Sequence, residues 1–158
     1  MKYRLTIALA GIAACLAATT ARAEDEAGVP YWASIRAEVV NMRVGPGEDY
    51  RINWVYHRKH LPLKVLRMKE GWRLVRDPDG TVGWIMARFL TRDRGGHVQG
   101  KGPADMRDKA DDSSDLRWRV QPGVTGRLGD CSDGWCRFDV DGRVGYVRQE
   151  RLWGAGEP

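Results

Sequence analysis

The cysteines and histidines are the residues of this chain that could carry covalent or metal chemistry. Cys131 and Cys136 enclose the tetrapeptide Ser-Asp-Gly-Trp, which places them on opposite arms of a tight hairpin. In an exported protein, this arrangement favours a disulfide bond. The alternative is a metal pair, but zinc usually takes four Cys or His ligands, and His57, His60 and His97 all lie upstream. We therefore predict a disulfide, no metal site and no cofactor.

A catalytic role for either cysteine is disfavoured by the size of the chain. A cysteine nucleophile needs a general base, an orienting third group and a pocket. A chain of 158 residues divided into small units leaves little room for such a site. The aspartates between residues 108 and 115 also lack the glycine and the terminal glutamate of a calcium-binding loop. We therefore predict that the protein has no catalytic residues and is not an enzyme.

The aromatic residues are the best indication of a binding function. Tyr50 follows a polar loop, and Trp54-Val55-Tyr56 places two aromatic side chains on the same face of a strand. Small domains also need large side chains to fill their cores, so a purely structural role is the alternative. We predict a shallow aromatic groove, with basic residues at its border, for an extended or glycan-linked peptide. The candidate ligand-binding residues are Arg43, Tyr50, Arg51, Trp54, Tyr56 and Trp84.

The N-terminal stretch has the features of an export signal. Two basic residues precede an apolar run over residues 5–18, and Ala21-Arg22-Ala23 forms a small-residue cleavage site. The run is too short for a comfortable membrane span, so we predict no integral membrane segment in the mature chain. Cys15 follows Ile-Ala-Ala, which resembles the acylation site of bacterial lipoproteins and provides the alternative of a lipid anchor. The main prediction is a signal peptide over residues 1–23 and a periplasmic or secreted protein.

The distribution of charge argues against a nucleic-acid partner. The full chain has 26 Lys and Arg residues against 21 Asp and Glu residues, a net charge of +5. Three basic residues lie in the predicted signal peptide, which contains no acid, so the mature chain carries only +2. Residues 31–94 carry +6 and residues 105–153 carry −1. This asymmetry predicts two units with different surfaces, and we expect no binding to nucleic acid.

An internal repeat divides the chain into two units. Five landmarks recur in the same order at offsets of 62 to 64 residues. The pairs are Met42-Arg43 and Met106-Arg107, His60-Leu61 and Gly123-Val124, Gly71-Trp72 and Gly134-Trp135, Gly83-Trp84 and Gly145-Tyr146, and Leu90 and Leu152. Near-constant spacing indicates duplicated units, so we predict domains over residues 31–94 and 105–153. The glycines between residues 95 and 104 predict a short flexible linker.

Each unit has the pattern of short strands joined by turns. Apolar residues alternate at Leu61, Leu63 and Val65, as expected of a half-buried strand. Asp-Gly pairs at residues 79–80 and 141–142 separate the later strands, and Gly supplies the positive φ that a tight hairpin needs. Closely spaced short strands predict an all-β fold of two small barrels.

The first unit resembles the bacterial Src-homology-3-like (SH3-like) domain. The resemblance is carried by Met42-Arg43-x-Gly-Pro-Gly, an alternating strand, Gly71-Trp72, an Asp-Gly hairpin and Gly83-Trp84-Ile85. It extends from Trp32 to about Leu90. The second unit, from Asp105 to Trp153, shares fewer motif residues because Gly-Pro-Gly is absent and Tyr146 replaces the second tryptophan.

The resemblance implies tandem SH3-like barrels of five to seven strands with a binding or targeting role in the cell envelope. We expect recognition of peptidoglycan peptides or of an envelope protein. The alternative is a structural or regulatory accessory protein whose barrels pack together and bind only a protein partner. Retention on purified cell wall would distinguish the two expectations.

Overall fold

The computed structural model describes residues 28–158, which form two antiparallel seven-stranded sheets. The first sheet contains β1 (Tyr31–Ile35), β2 (Val40–Arg43), β3 (Ile52–Tyr56), β4 (Pro62–Lys69), β5 (Trp72–Arg76), β6 (Val82–Met86) and β7 (Leu90–Thr91). The second contains β8 (Gly95–Val98), β9 (Ala104–Arg107), β10 (Leu116–Val120), β11 (Thr125–Ser132), β12 (Trp135–Val140), β13 (Arg143–Arg148) and β14 (Leu152–Trp153). The predicted all-β class is confirmed. The predicted signal peptide and Cys15 lie outside the described residues.

The two sheets have the same topology. Their strand orders are β3-β2-β6-β5-β4-β1-β7 and β10-β9-β13-β12-β11-β8-β14, so each strand of one has a counterpart in the other. Single 3-10 turns, Ala87–Phe89 and Gln149–Arg151, precede the last strand of each sheet. Among residues 28–158, no helix has the length and apolar character needed to cross a membrane.

Each barrel buries its own core, and the largest side chains occupy different strands. Tyr56 on β3 is a core residue of the first barrel, whereas Val120 takes its place in the second. The reverse holds on β5 and its counterpart β12, where Val75 of the first barrel corresponds to Phe138 of the second. The exchange keeps an aromatic ring in each core, as close packing requires.

The predicted linker over residues 95–104 differs from the structure. Gly95–Val98 is the first strand of the second sheet, β8, and pairs with β11 and β14. A Cβ atom at Gly95 would overlap the carbonyl of His60, and one at Gly96 would lie 2.8 Å from the Phe138 ring. These glycines therefore allow a close approach of the backbone and do not provide flexibility.

The barrels pack against each other through their chain ends and loops. The rings of Trp32 and Trp153 meet edge to face with centroids 5.2 Å apart, and Trp32 Nε1 donates to the Gly156 carbonyl at 3.0 Å. On another side of the interface, Arg58 Nη1 donates to the Gly123 carbonyl at 2.9 Å. The ring contact joins a side chain of each barrel, and the two hydrogen bonds join side chains of the first barrel to the backbone of the second.

Candidate functional site

The loop after β2 is held by hydrogen bonds to its own backbone carbonyls and by the ring of Tyr50. Arg43 Nη1 donates to the Tyr50 carbonyl at 2.6 Å, and Val44 N donates to the Arg51 carbonyl at 3.1 Å. The Tyr50 ring lies over the backbone of Gly45 and Gly47, where a Cβ at Gly45 would overlap it. This contact explains why positions 45 and 47 of the Gly-Pro-Gly motif are glycines. Tyr50 as a whole remains 49% exposed, so a ligand can reach it.

A cavity of about 480 Å³ lies beside β3, and we call it the aromatic cavity. Trp54 stands at its edge with 57% of its surface exposed, and Tyr56 lines its inner part. The other lining residues come from β3, from the loops that follow β3 and β5, and from β8: Val55, His57, Arg58, Leu61, Asp77, Pro78, Asp79, Thr81 and His97. The cavity therefore receives residues from both barrels.

Tyr56 and Asp77 form a buried polar pair in this cavity. The Tyr56 hydroxyl donates to Asp77 Oδ2 at 2.8 Å, and the Thr81 backbone N–H donates to Asp77 Oδ1 at 2.7 Å. Burial, followed by the hydrogen bond to Asp77, raises the pKa of Tyr56 far above its ordinary value of 10.0. The hydroxyl therefore stays protonated and remains a donor, which keeps the β5–β6 hairpin fixed against β3.

His97 is a second polar group of the cavity. Burial lowers its pKa, and the neighbouring Arg58 lowers it further, although Asp79 and Asp77 act in the opposite direction. The imidazole is therefore neutral at pH 7. Its buried Nδ1 makes no hydrogen bond with any residue between 28 and 158.

Four of the six predicted ligand-binding residues are divided between two faces of the first sheet, and Tyr50 and Arg51 lie in the loop between β2 and β3. Trp54 lies opposite the buried Met42, so it projects from the core side of β3, where it borders the aromatic cavity. Arg43 lies opposite Trp84, which alternates with the buried Gly83 and Ile85 and therefore projects from the outer side. The structure thus brings Trp54 together with Tyr56 but not with Trp84.

Tyr56 and Arg51 complete the comparison of the predicted residues with the structure. Tyr56 was expected in an open groove, but it is only 5% exposed and belongs to the core, because its hydroxyl finds a buried partner in Asp77. Arg51 is exposed, and its carbonyl closes the loop after β2. The sequence interpretation missed Asp77, Asp79 and His97, although the Asp-Pro-Asp-Gly turn already indicated a loop that could present carboxylates.

The two cysteines form the predicted disulfide. Cys131 on β11 lies directly opposite Cys136 on β12, and their Cα atoms are 4.0 Å apart. Within residues 28–158, no group of three or more His, Cys, Asp or Glu residues is arranged to hold a metal ion. The disulfide lies in the second barrel, away from Trp54 on the first.

Comparison with protein families identifies the domain type. The family description "Bacterial SH3 domain" matches residues 36–91 and 100–154. The chain belongs to the bacterial SH3 domain family. Both copies of the domain fall within the two sheets, and the match confirms the tandem SH3-like arrangement predicted from the repeat. A comparison with curated proteins finds no match.

Several solved structures are similar to this bacterial SH3 protein. NlpC2 and NlpC1 of Trichomonas vaginalis are each 15% identical with TM-scores of 0.36. The matches cover 79% and 78% of this chain and 48% and 45% of those chains. An NlpC/P60 family protein of Bacillus cereus is 12% identical with a TM-score of 0.34, and the match covers 78% of this chain and 56% of that one. This chain therefore spans about half the length of these proteins.

Proposed function

We propose that this protein is a non-catalytic binding module of the bacterial cell envelope that recognises peptides of peptidoglycan or of an envelope protein. The observation that carries the proposal is Trp54, a large aromatic side chain that is 57% exposed at the edge of a cavity containing charged groups. Membership of the bacterial SH3 domain family supports a binding role. The exported location predicted from residues 1–23 would place the module in the envelope.

The aromatic side chains are suited to supply contact area. Trp and Tyr bury large surfaces on binding and lose few rotamers, so they are frequent among the residues that dominate binding energy. Tyr50 is held on the glycine backbone beneath it, so its ring is already oriented before a ligand arrives. A preorganised ring avoids part of the entropy cost of association.

The aromatic cavity also carries groups of both charges. Arg58 can pair with a carboxylate, and Asp79 can pair with an amino group on the same ligand. Trp54 offers its ring face to an alkyl chain or to a cation between them. This combination favours a short peptide that bears carboxylates and amino groups over a neutral glycan.

Retention on purified peptidoglycan tests the proposal. We expect the double variant Tyr50→Ala/Trp54→Ala to bind at least about tenfold more weakly than the parent, or ~1.4 kcal/mol. Leu116→Ala is the matched control, because Leu116 is an exposed apolar residue on β10, the counterpart of β3. Trp118 lies opposite Met106 as Trp54 lies opposite Met42, and Trp118→Ala should also weaken binding less than the double variant does.

Circular dichroism and thermal melting must accompany these assays, although the exposure of Tyr50 and Trp54 makes loss of fold an unexpected result. A folded double variant that is retained as well as the parent would end the aromatic-site proposal. Failure of the parent protein to bind either purified peptidoglycan or its peptides would leave only an envelope protein as the ligand, to be sought by cross-linking.

Mass spectrometry of the exported protein tests the proposed location. We expect an N-terminus at Glu24, since the Ala-x-Ala site directs cleavage after Ala23. A lipid-modified N-terminus at Cys15 would instead place the protein on a membrane.

A further inference from the structure

The outer face of the first sheet carries a set of basic and apolar side chains. Four residues lie directly opposite one another across neighbouring strands, in the order Arg43, Trp84, Leu74 and Arg67 from β2 to β4. Two aligned rows flank them, one with Met86, Trp72 and Lys69, and the other with Val82, Arg76 and Lys64. We call these ten residues the basic face.

The basic face combines positive charge with partly exposed apolar surface. Five of its ten residues are Arg or Lys, and none is acidic. Val82 is exposed, and Trp72, Leu74, Trp84 and Met86 are each only partly buried. Among the ion pairs within residues 28–158, none includes a cation of this face. Arg43 Nη1 donates to the neutral Tyr50 carbonyl, so its charge is not paired, and the other four cations make no side-chain hydrogen bond within residues 28–158. These charges and the apolar stripe are therefore available to a partner.

The second barrel covers the equivalent face with its own side chains. Arg148 takes the position of Met86, lies over the Trp135 ring with its guanidinium carbon 4.3 Å from the centroid, and pairs with Asp112 of the loop before β10. Trp135 is consequently only 5% exposed, unlike its counterpart Trp72. Asp139 stands opposite Arg127 where the first barrel has Arg76 opposite Lys64. The same backbone thus presents an open cationic face in one barrel, whereas in the other Arg148 is paired with Asp112 and Asp139 replaces one of the cations.

We propose that the basic face binds an extended acidic segment of a partner protein. Neighbouring strands are about 4.8 Å apart, so Arg43 and Arg67 are separated by roughly 14 Å across three strand intervals. An extended peptide rises about 3.3 Å per residue and places residues i, i+2 and i+4 on one side, which spans about 13 Å. The fitting sequence is an acidic residue, a spacer, an apolar residue, a spacer and a second acidic residue.

The composition of the face selects this occupant over other anions. A phosphate polymer could pair with the arginines but would leave Trp84 and Leu74 without an apolar partner. A bilayer surface would need the tryptophans to project furthest, yet they are partly buried between longer Arg and Lys side chains. The inference goes beyond the proposed function because it assigns a second binding surface, on the side of the sheet opposite to Trp54.

Fluorescence anisotropy with a labelled, acetylated peptide of sequence Glu-Ser-Leu-Ser-Glu tests the inference on the full mature chain. We expect Arg67→Glu/Arg76→Glu to weaken binding at least tenfold, because both side chains are exposed and the reversed charges repel the peptide. The control is Arg127→Glu/Arg137→Glu on the outer side of the second sheet, which changes the net charge equally and should weaken binding less than twofold. Trp54→Ala should leave this affinity unchanged while it lowers retention on peptidoglycan.

The inference is overturned if the parent does not bind the peptide, if both charge reversals weaken binding equally, or if a peptide with adjacent glutamates and the leucine at one end binds as well. Binding of polyphosphate or of phosphatidylglycerol vesicles with the same dependence on Arg67 and Arg76, and more tightly than the peptide, also overturns it. If circular dichroism shows that the Glu variant is misfolded, Arg67→Gln/Arg76→Gln replaces it, with an expected loss of at least threefold.

Discussion

The loops after β2 and β9 share one backbone geometry with almost no sequence in common. In the first barrel, Arg43 binds the Tyr50 carbonyl seven residues ahead at 2.6 Å, and Arg107 binds the Ser114 carbonyl in the same way at the same distance. The three backbone hydrogen bonds within the first loop recur in the second at a constant offset of 64 residues.

The interior of each loop is filled differently. The first places the Tyr50 ring on a Gly-Pro-Gly backbone, whereas the second uses Ser114 Oγ, which accepts from Lys109 N at 2.9 Å, and Asp111, which accepts from Ser113 N at 2.7 Å. The arginine and the backbone bonds thus preserve the shape of the loop. The side chains that a ligand would meet changed from aromatic to acidic.

The largest expected effect concerns the core, where the barrels place their aromatic ring on different strands. Phe138→Ala should lower the free energy of unfolding of the second barrel by about 3–5 kcal/mol, because it removes a fully buried ring and leaves a cavity. Urea unfolding with hydrogen exchange read separately for each barrel measures it. Val75→Ala is the matched change in the first barrel and should cost less, since valine fills less volume. Equal losses would contradict the exchange of core volumes.

The disulfide is the covalent difference between the barrels. Cys131 and Cys136 correspond to Met68 and Arg73, which face each other in the first barrel without a bond. Replacing both cysteines by Ser should destabilise the second barrel by about 2 kcal/mol, the modest value expected for so short a loop. Unfolding of the variant beside the parent under non-reducing conditions measures the loss. Two labelled thiols in denatured, unreduced parent protein would show that the bond is absent.

Arg43 and Arg107 should contribute equally to the stability of their loops, because they make the same hydrogen bond. Arg43→Lys and Arg107→Lys should each cost about 1 kcal/mol of stability, because the ammonium cannot reproduce the guanidinium geometry at the loop carbonyl. Thermal unfolding of the two single variants checks this expectation. A loss confined to one of them would mean that the common hydrogen bond does not support both loops.

The smallest expected effect is a dependence of stability on pH through His97 on β8. The equivalent strand of the first barrel, β1, contains no histidine. Burial lowers the pKa of His97 in the folded protein below 6.5. The unfolded chain therefore binds a proton at higher pH than the folded chain, so this contribution is complete above about pH 6.5 and is lost as the pH falls through the folded pKa. His97→Gln should reduce the decline of the melting temperature between about pH 7 and 5. An unchanged decline would assign it to other groups, such as His60, whose pKa burial also lowers.

Local signals in the sequence were sufficient to predict the barrels. Asp79-Gly80 and Asp141-Gly142 mark hairpins because Gly80 and Gly142 adopt positive φ, and the repeat follows the strand order of both sheets. The role of Gly95 could not be predicted. The sequence does not distinguish a glycine of a flexible linker from a glycine that allows close approach of a neighbouring carbonyl. The packing partner that distinguishes them, His60, lies 35 residues away in the chain.

The candidate site was predicted only in part for a similar reason. Alternation along β3 correctly placed Trp54 and Tyr56 on one side. It could not relate them to Trp84, because the pairing of β2 with β6 joins residues that are 41 positions apart. The basic face depends on such pairing across four strands. Alternation at Trp72, Leu74 and Arg76 was the available signal that these residues share the side of β5 opposite to the buried Val75.

The exchanged aromatic positions have a consequence for how the chain avoids misassembly. Tandem domains of the same topology can exchange equivalent strands with each other during folding. A first barrel that accepted β12 in place of β5 would hold both Tyr56 and Phe138, and overfilling a core costs roughly 1–3 kcal/mol. The reciprocal barrel, with Val120 and Val75, would enclose a void. The side-chain volume of each strand therefore fits the core of its own barrel only. This difference favours correct strand pairing, although the two barrels have the same topology.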